Sequence, residues 1–444
     1  MTTTLSHESM QEITDGLKTS LAAFASRYPG ESGRRQPVHT VYGGAHLFKS
    51  DTAPRLGALA LRSFETYAPD ARKFAEILEL PDKLSETIYE RVLEKLTREP
   101  VEDFRIDFED GYGTRPDAEE DAHAVSAAEE AVKGLDAGTL PPFLGIRIKT
   151  FSEELHKRSI RTLDLFLTTL VKVSGGRLPE NFVVTLPKII SPAQVAALAD
   201  IFDLLEPQLN LPENSLKMEM MIETTQSIIN ERGESNLPLM LDAARGRCTA
   251  AHFGTYDYTA SCNITAAYQD MLHPACDFAR NMMQVAFGGT GVWLSDGATN
   301  IMPVAPNRGE LTAEQESENA AIVHRAWKLH YKHIRHSLEN AFYQGWDLHP
   351  AQFPTRYAAI YTFFLEGLDA ASERLRNFVE KAARATLVGD VFDDAATGQG
   401  LLNYFLRAIN CGALTEQEAQ DLTSLSLDEL QSGSFVKILH NRQK

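Results

Sequence analysis

Hydrophobic residues in this chain follow two spacings in turn. Short apolar runs rich in β-branched and aromatic residues occur at 38–42, 104–108, 143–148, 182–186, 216–222, 249–253, 292–294 and 346–349. Several end on turn residues: Gly43-Gly44 closes the first and Pro187 the fourth. These runs read as strands. Between them the apolar positions recur at helical spacing, over 55–67, 84–98, 117–135, 155–171, about 193–205 and about 314–342. Eight strand candidates, starting about every 40 residues and mostly separated by helices, predict an α/β fold of the (β/α)8 TIM-barrel kind over a doubly wound sheet. Residues 1–36 read as an N-terminal arm with one amphipathic helix, 10–28. Residues 37–355 are expected to form the barrel and 356–444 a C-terminal helical extension.

Composition narrows the functions open to such a barrel. The chain has 444 residues, 43% of them apolar and 23% charged, and a formal charge of -18. Duplex nucleic acid is an unsuitable partner, since Lys and Arg must neutralise its phosphates. No run of about 18 apolar residues occurs and the first ten residues lack a signal-peptide pattern, so no membrane association is expected and a cytoplasmic location follows by default. Cys248, Cys262, Cys276 and Cys411 contain no C-x-x-C pair and read as reduced packing residues. There is no G-x-G-x-x-G after the first strand and no Walker A segment.

In a barrel, polar residues just past each strand share one rim and carry the chemistry. That rule selects Asp107, Glu109 and Asp110 after the second strand, Arg147 and Lys149 on the third, Lys188 after the fourth, Glu223 after the fifth, Asp257 after the sixth, Asp296 after the seventh, and His349 with Gln352 after the eighth. Glu223 and Asp257 lie 34 positions apart in sequence yet at the ends of adjacent strands. Mg²⁺ takes one or two protein carboxylates and leaves its other positions to water and substrate, so this pair suits Mg²⁺, with Mn²⁺ as an alternative. A metal so neutralised still needs a cation at the reacting oxygen of an anionic substrate, and Arg147 is the obvious supplier. Simpler accounts exist: Glu223 as a helix cap, Arg147 as an interior cation paired with Asp107, Asp296 as a turn residue. His330, His333 and His336 read as the solvated face of a charged helix. His46 and His252 are unassigned polar residues near the rim.

In order, these motifs resemble the citrate lyase beta-subunit-like proteins and malyl-CoA lyases. The matching stretches are Ile106-Asp107-Phe108-Glu109-Asp110, Gly145-Ile146-Arg147-Ile148, Thr185-Leu186-Pro187-Lys188, Ile222-Glu223-Thr224, Gly254-Thr255-Tyr256-Asp257 and Gly345-Trp346-Asp347-Leu348-His349-Pro350-Ala351-Gln352. The Asp257-Tyr258 pair is also similar to malate synthase. The resemblance implies a barrel of the phosphoenolpyruvate/pyruvate-binding type, metal ligation by Glu223 and Asp257, and Arg147 as substrate and oxyanion cation. Glu109 and Asp110 join Arg147 as catalytic candidates, and Lys188 and His349 as substrate-binding ones. It implies homo-oligomers, trimers or hexamers, in which the C-terminal segment is a candidate lid and Asp394 a candidate catalytic residue. Asp110 stands where the related metal-dependent pyruvate aldolases carry a histidine base. The first strand ends Gly43-Gly44-Ala45-His46 instead of in the family's arginine and proline turn, which leaves use of a CoA thioester open.

The function expected is a Mg²⁺-dependent carbon-carbon lyase that cleaves a hydroxy acid or hydroxyacyl-CoA in the retro-aldol or retro-Claisen sense. A metal-binding accessory subunit of a citrate-lyase-like complex and a pyruvate-dependent aldolase acting on a free hydroxy-oxo acid are the alternatives.

Overall fold

All eight predicted runs form strands: β1 (His39–Gly44), β2 (Asp103–Asp107), β3 (Phe143–Arg147), β4 (Val183–Leu186), β5 (Lys217–Ile222), β6 (Cys248–Phe253), β7 (Trp293–Ala298) and β8 (Gln344–Asp347). In the computed structural model, which describes residues 4–30, 33–380, 386–388, 391–393, 395–432 and 438, they pair in parallel and in sequence order. β8 returns to β1, with Thr40 opposite Trp346, and the barrel closes. The TIM-barrel expectation holds.

Both faces of these strands are buried, so alternation sorts residues by destination instead of by exposure. Along β2, Phe104 and Ile106 face the surrounding helices. Asp103, Arg105 and Asp107 face the lumen, because Arg105 reaches across to β4 and β5: its Nε donates to Thr185 Oγ1 at 3.1 Å and to Glu219 Oε2 at 3.0 Å, and Nη2 to Glu219 Oε1 at 2.6 Å. Asp103 accepts from Arg105 and, at 2.9 Å, from Thr40 Oγ1. A Cβ at Gly145 would lie 2.4 Å from Val183 O and 3.1 Å from Arg105 Cδ, so the glycine on β3 leaves room for the guanidinium. The lumen is thus filled by a fully partnered ionic column in place of the usual branched aliphatics. Burial alone would raise the Glu219 carboxyl, but Arg105 and His252 hold it well below the ordinary range. Removing one member would leave an uncompensated buried charge.

The helix Ala313–Glu339 corrects one expectation. His330 and His333 are buried, not solvated. His330 Nδ1 lies 2.6 Å from Thr355 Oγ1 and its Nε2 3.0 Å from Asp347, while His333 Nδ1 lies 2.9 Å from Thr299 Oγ1. The helix is wedged between Ala71–Leu78 and Phe353–Glu366, so its stripe with Val323, Trp327 and Ile334 faces inward in spite of the charges around it. Asp296 is likewise neither a turn residue nor a rim ligand. β7 runs on to Ala298, and Asp296 is buried behind the sheet with Arg280 Nε at 2.9 Å and Ser337 Oγ at 2.6 Å.

Phe353–Glu366, nearly all of it buried, is the eighth helix of the ring. After Leu368–Glu380, the helices Ala395–Asn410, Glu416–Thr423 and Leu427–Gln431 pack at the end where the strands begin. There Arg407 donates to Gln36 Oε1 at 3.0 Å and stacks over Tyr343, and Arg91 pairs with Glu418 at 2.7 Å. The arm helix His7–Arg27 buries no residue. Among the described residues no helix is long and apolar enough to cross a membrane, and the four cysteines are free.

Candidate active site

At the carboxyl ends of the strands seven of the predicted residues come together: Asp107, Glu109, Asp110, Arg147, Lys188, Glu223 and Asp257. Arg147, the last residue of β3, is 4% exposed. Its Nε and Nη2 donate to the two oxygens of Asp107 at 2.7 and 2.5 Å, a bidentate pair, and Nη1 stands 3.2 Å from Glu109 and 3.6 Å from Asp110. Asp107 is in turn held by the backbone N–H groups of Glu109 at 3.0 Å and Gly111 at 2.7 Å. Arg147 is therefore both the interior cation paired with Asp107 and a rim residue. Burial works against its charge, but Asp107 and Glu109 raise its pKa well above the ordinary value.

Lys188 follows Pro187 with φ 51°. That left-handed turn brings both ends of the residue into use. Its N–H donates to Glu223 Oε1 at 2.6 Å, while Nζ pairs with Glu109, with Asp110 at 3.0 Å, and stands 4.0 Å from Asp257. The neighbouring carboxylates raise the Lys188 pKa against the effect of burial. Glu223 is buried just past β5, and Asp257, partly exposed, lies in the first turn of the helix Thr255–Ser261 after β6. Thr224 accepts from Ser227 N at 3.0 Å, so the cap of the helix that follows is Thr224 and not Glu223. Between the two metal candidates sits Gly254. A Cβ there would lie 2.5 Å from Glu223 Oε2, so only glycine lets the carboxylate pass.

Electrostatics favours a cation at this rim. Asp107, Glu109, Asp110, Glu223 and Asp257 are five carboxylates against two cations, Arg147 and Lys188, a formal excess of three negative charges. Burial and the nearby Asp257 push the Glu223 carboxyl up to about 8. Burial also pushes Glu109 up to about 7, while its neighbour Asp110 is held below the ordinary range by Glu109, Arg147 and Lys188 despite burial. Without a divalent ion the cluster retains protons instead. Among the described residues no group of three or more His, Cys, Asp or Glu side chains is arranged to hold a metal; a pair of carboxylates such as Glu223 and Asp257 is the number of protein ligands that Mg²⁺ commonly takes. A cleft of about 510 Å³ opens over Lys188, Glu223, Thr224 and Asp257. A second, of about 580 Å³, runs past Glu109 and Asp110 toward Arg115, Lys149 and Arg158.

The remaining candidates stand apart. His349 Nδ1 accepts from Ala351 N at 3.1 Å and caps the short turn after β8, and Gln352 donates to Thr299 O at 3.0 Å. Lys149 is a strut: its Nζ donates to Phe108 O at 2.5 Å and pairs with Glu120 at 3.1 Å. Asp394 lies outside the described residues. Residues that the sequence reading passed over line the site from below. Tyr42 and Trp346 carry the Arg147 guanidinium 4.7 and 5.8 Å above their rings. Their signal was available: each stands at lumen parity on its strand, Tyr42 two residues after Thr40 and Trp346 two after Gln344.

A family model described as a domain of unknown function, DUF6986, matches residues 17–438. No curated protein matches the chain. Among solved structures, a citrate lyase from Burkholderia xenovorans is similar over 87% of this chain and 96% of its own, with 18% identity and a TM-score of 0.55, and it shares the barrel fold. The protein CitE from Mycobacterium tuberculosis, in complex with magnesium, acetoacetate and coenzyme A, is similar over 86% and 99% (14% identity, TM-score 0.46). Malate synthase from Haloferax volcanii, in its magnesium/glyoxylate complex, is similar over 90% and 98% (12% identity, TM-score 0.46).

Proposed function

The chain belongs to the DUF6986 family, and for it we propose a Mg²⁺-dependent carbon-carbon lyase or synthase that works through an enolate. The observation that carries this reading is the convergence of Arg147 and Lys188 with the carboxyl groups of Asp107, Glu109, Asp110, Glu223 and Asp257 on one rim, a formal excess of three negative charges. The citrate lyase neighbour, built on the same barrel, supports the reaction class.

Glu223 and Asp257 would hold the ion, and when bound it would supply Lewis-acid charge at the carbonyl oxygen next to the bond that breaks. Arg147 has five N–H groups. Asp107 takes two, on Nε and Nη2, and the remaining N–H groups on Nη1 and Nη2 are those that would donate to the oxygen as it gains enolate charge. Asp107 holds that guanidinium in place in advance, so the donors need no reorganisation during the reaction. Lys188 balances Glu109 and Asp110 and presents a charge to a substrate carboxylate. The environments of Glu109 and Asp110 push their pKa values apart, the arrangement expected of an acid and base pair at neutral pH. Asp110, the more exposed of the two, takes the proton as base, and Glu109 retains one to give back.

Two donor classes fit an enolate of this kind, a 2-oxo acid such as pyruvate and an acyl-CoA. Deuterium uptake from D₂O into the methyl group of pyruvate or of acetyl-CoA, followed by proton NMR with Mg²⁺ and with EDTA, tests the reading and separates the classes. Metal-dependent exchange in one is the expected result. Exchange in neither, with Mg²⁺ bound, refutes enolate formation from these donors and favours the accessory-subunit reading. Assembly into a homo-oligomer is part of the proposal and is checked by sedimentation.

A further inference from the structure

Beneath Arg147 the polar column of the lumen and the rim are joined by one histidine. Trp346 Nε1 donates to His252 Nδ1 at 3.2 Å, and His252 Nε2 stands 3.3 Å from Glu219 Oε1. Glu219 is clamped by Arg105 and accepts from Thr185 Oγ1 at 2.9 Å. His252 has no exposed surface, whereas Trp346 and Tyr42 are half-buried and turn toward the rim with their rings 4.4 Å apart. The indole N–H is a donor only, so His252 Nδ1 must be the acceptor and the ring proton sits on Nε2, facing the carboxylate. The orientation of the indole is thereby set from the centre of the barrel.

We propose that His252 is a positioning residue for the reaction, fixing Trp346 so that it and Tyr42 form an aromatic platform on which the Arg147 guanidinium lies. The inference rests on the proposed function for its catalytic consequence, but not for its geometry. Asp107 fixes one edge of the guanidinium, through Nε and Nη2, and leaves its tilt to whatever lies under its face. Two ring faces 4.7 and 5.8 Å below supply that constraint and stabilise the cation without using the N–H groups needed at the enolate oxygen. Glutamine can reproduce both contacts of His252, accepting through its carbonyl and donating through its amide, whereas leucine can make neither.

The test uses the full chain. The protein has three tryptophans, so ¹⁵N-labelled protein gives three indole cross-peaks, with that of Trp346 assigned by its loss in Trp346→Phe. The Arg147 Nε–H, assigned by its loss in Arg147→Lys, reports on the ring currents below it. In folded His252→Leu the Trp346 peak is expected to move, the Arg147 peak to move with it, and kcat for methyl exchange to fall about 10- to 100-fold with KM little changed. His252→Gln is expected to restore all three. An unmoved Trp346 or Arg147 peak in His252→Leu overturns the proposal, as do moved peaks with unchanged kcat. If His252→Leu does not fold, the same readouts are taken on Trp346→Leu, where an unmoved Arg147 peak overturns it. A wild-type protein that catalyses no exchange refutes the functional reading alone, and the platform then stands or falls on the two NMR signals.

Discussion

Replacing Gly254 by alanine probes the carboxylate pair with one methyl group. Gly254 has φ -101°, an ordinary conformation for any residue, so the substitution adds no backbone strain and its effect is steric. The new Cβ would lie 2.5 Å from Glu223 Oε2, 2.6 Å from Glu223 Cβ and 3.3 Å from Glu223 Cδ. Comfortable nonbonded separations are about 3.5–4.0 Å, so about 1 Å must be found. Glu223 cannot supply it freely: the side chain is buried, and its Oε1 is held by Lys188 N at 2.6 Å. Overpacking of this size costs about 1–3 kcal/mol, which in a chain of this length lowers the melting temperature by about 1–3 °C. The larger effect falls on the ion. Displacing one of the two proposed protein ligands should weaken metal binding at least as much as loss of a supporting contact does, about 10- to 100-fold. Calorimetric titration of Gly254→Ala with Mn²⁺, beside thermal melts, measures both. Wild-type Mn²⁺ affinity together with a lowered melting temperature would show that Glu223 moved and was not a ligand. Wild-type values of both would refute the steric argument itself.

Arg147→Lys keeps a charge but cannot make the fork to Asp107; exchange turnover should fall about 100-fold or more, and a folded variant with full activity refutes the oxyanion role. Arg147→Ala should also unfold at lower urea, since it strands Asp107 as a buried unpaired charge at a cost of about 3–5 kcal/mol. The raised carboxyls, Glu223 from 4.5 to about 8 and Glu109 from 4.5 to about 7, keep protons in the metal-free native state that the unfolded chain has lost. Stability without metal should therefore fall as pH rises through that window, and Mg²⁺ binding should release protons and tighten with pH; an affinity flat between about pH 6 and pH 8 contradicts this. Burial lowers His333 from 6.5 to about 4, so the unfolded chain protonates first. With Mg²⁺ saturating, the contribution of His333 is present above pH 6.5 and lost as pH falls toward 4, and melts of His333→Asn at pH 7 and pH 5 should differ less than those of the wild type.

Much of this molecule is written locally. Eight strands and the helices between them follow from apolar spacing and turn residues, because period 2 and period 3.6 are properties of short segments. The rim residues Glu109, Asp110, Arg147, Lys188, Glu223 and Asp257 are legible for the same reason: each ends its strand or lies within four residues of that end, and parallel closure puts all such ends on one face. The misreadings concern which way a side chain points. His330 and His333 sit among charges in sequence, and only the helices packed on either side turn that stripe inward. Asp296 looks like a rim residue, yet β7 directs it outward to Arg280. The ionic column of Asp103, Arg105 and Glu219, and the contact of His252 with Trp346, join residues on strands that are not neighbours. No period within one segment encodes a distance across a barrel. The types and order of the elements were therefore set by the sequence alone. Which charges meet, and what holds Arg147 in place, was decided by closure of the barrel, because burial leaves each lumen charge only the partners that the opposite strands bring to it.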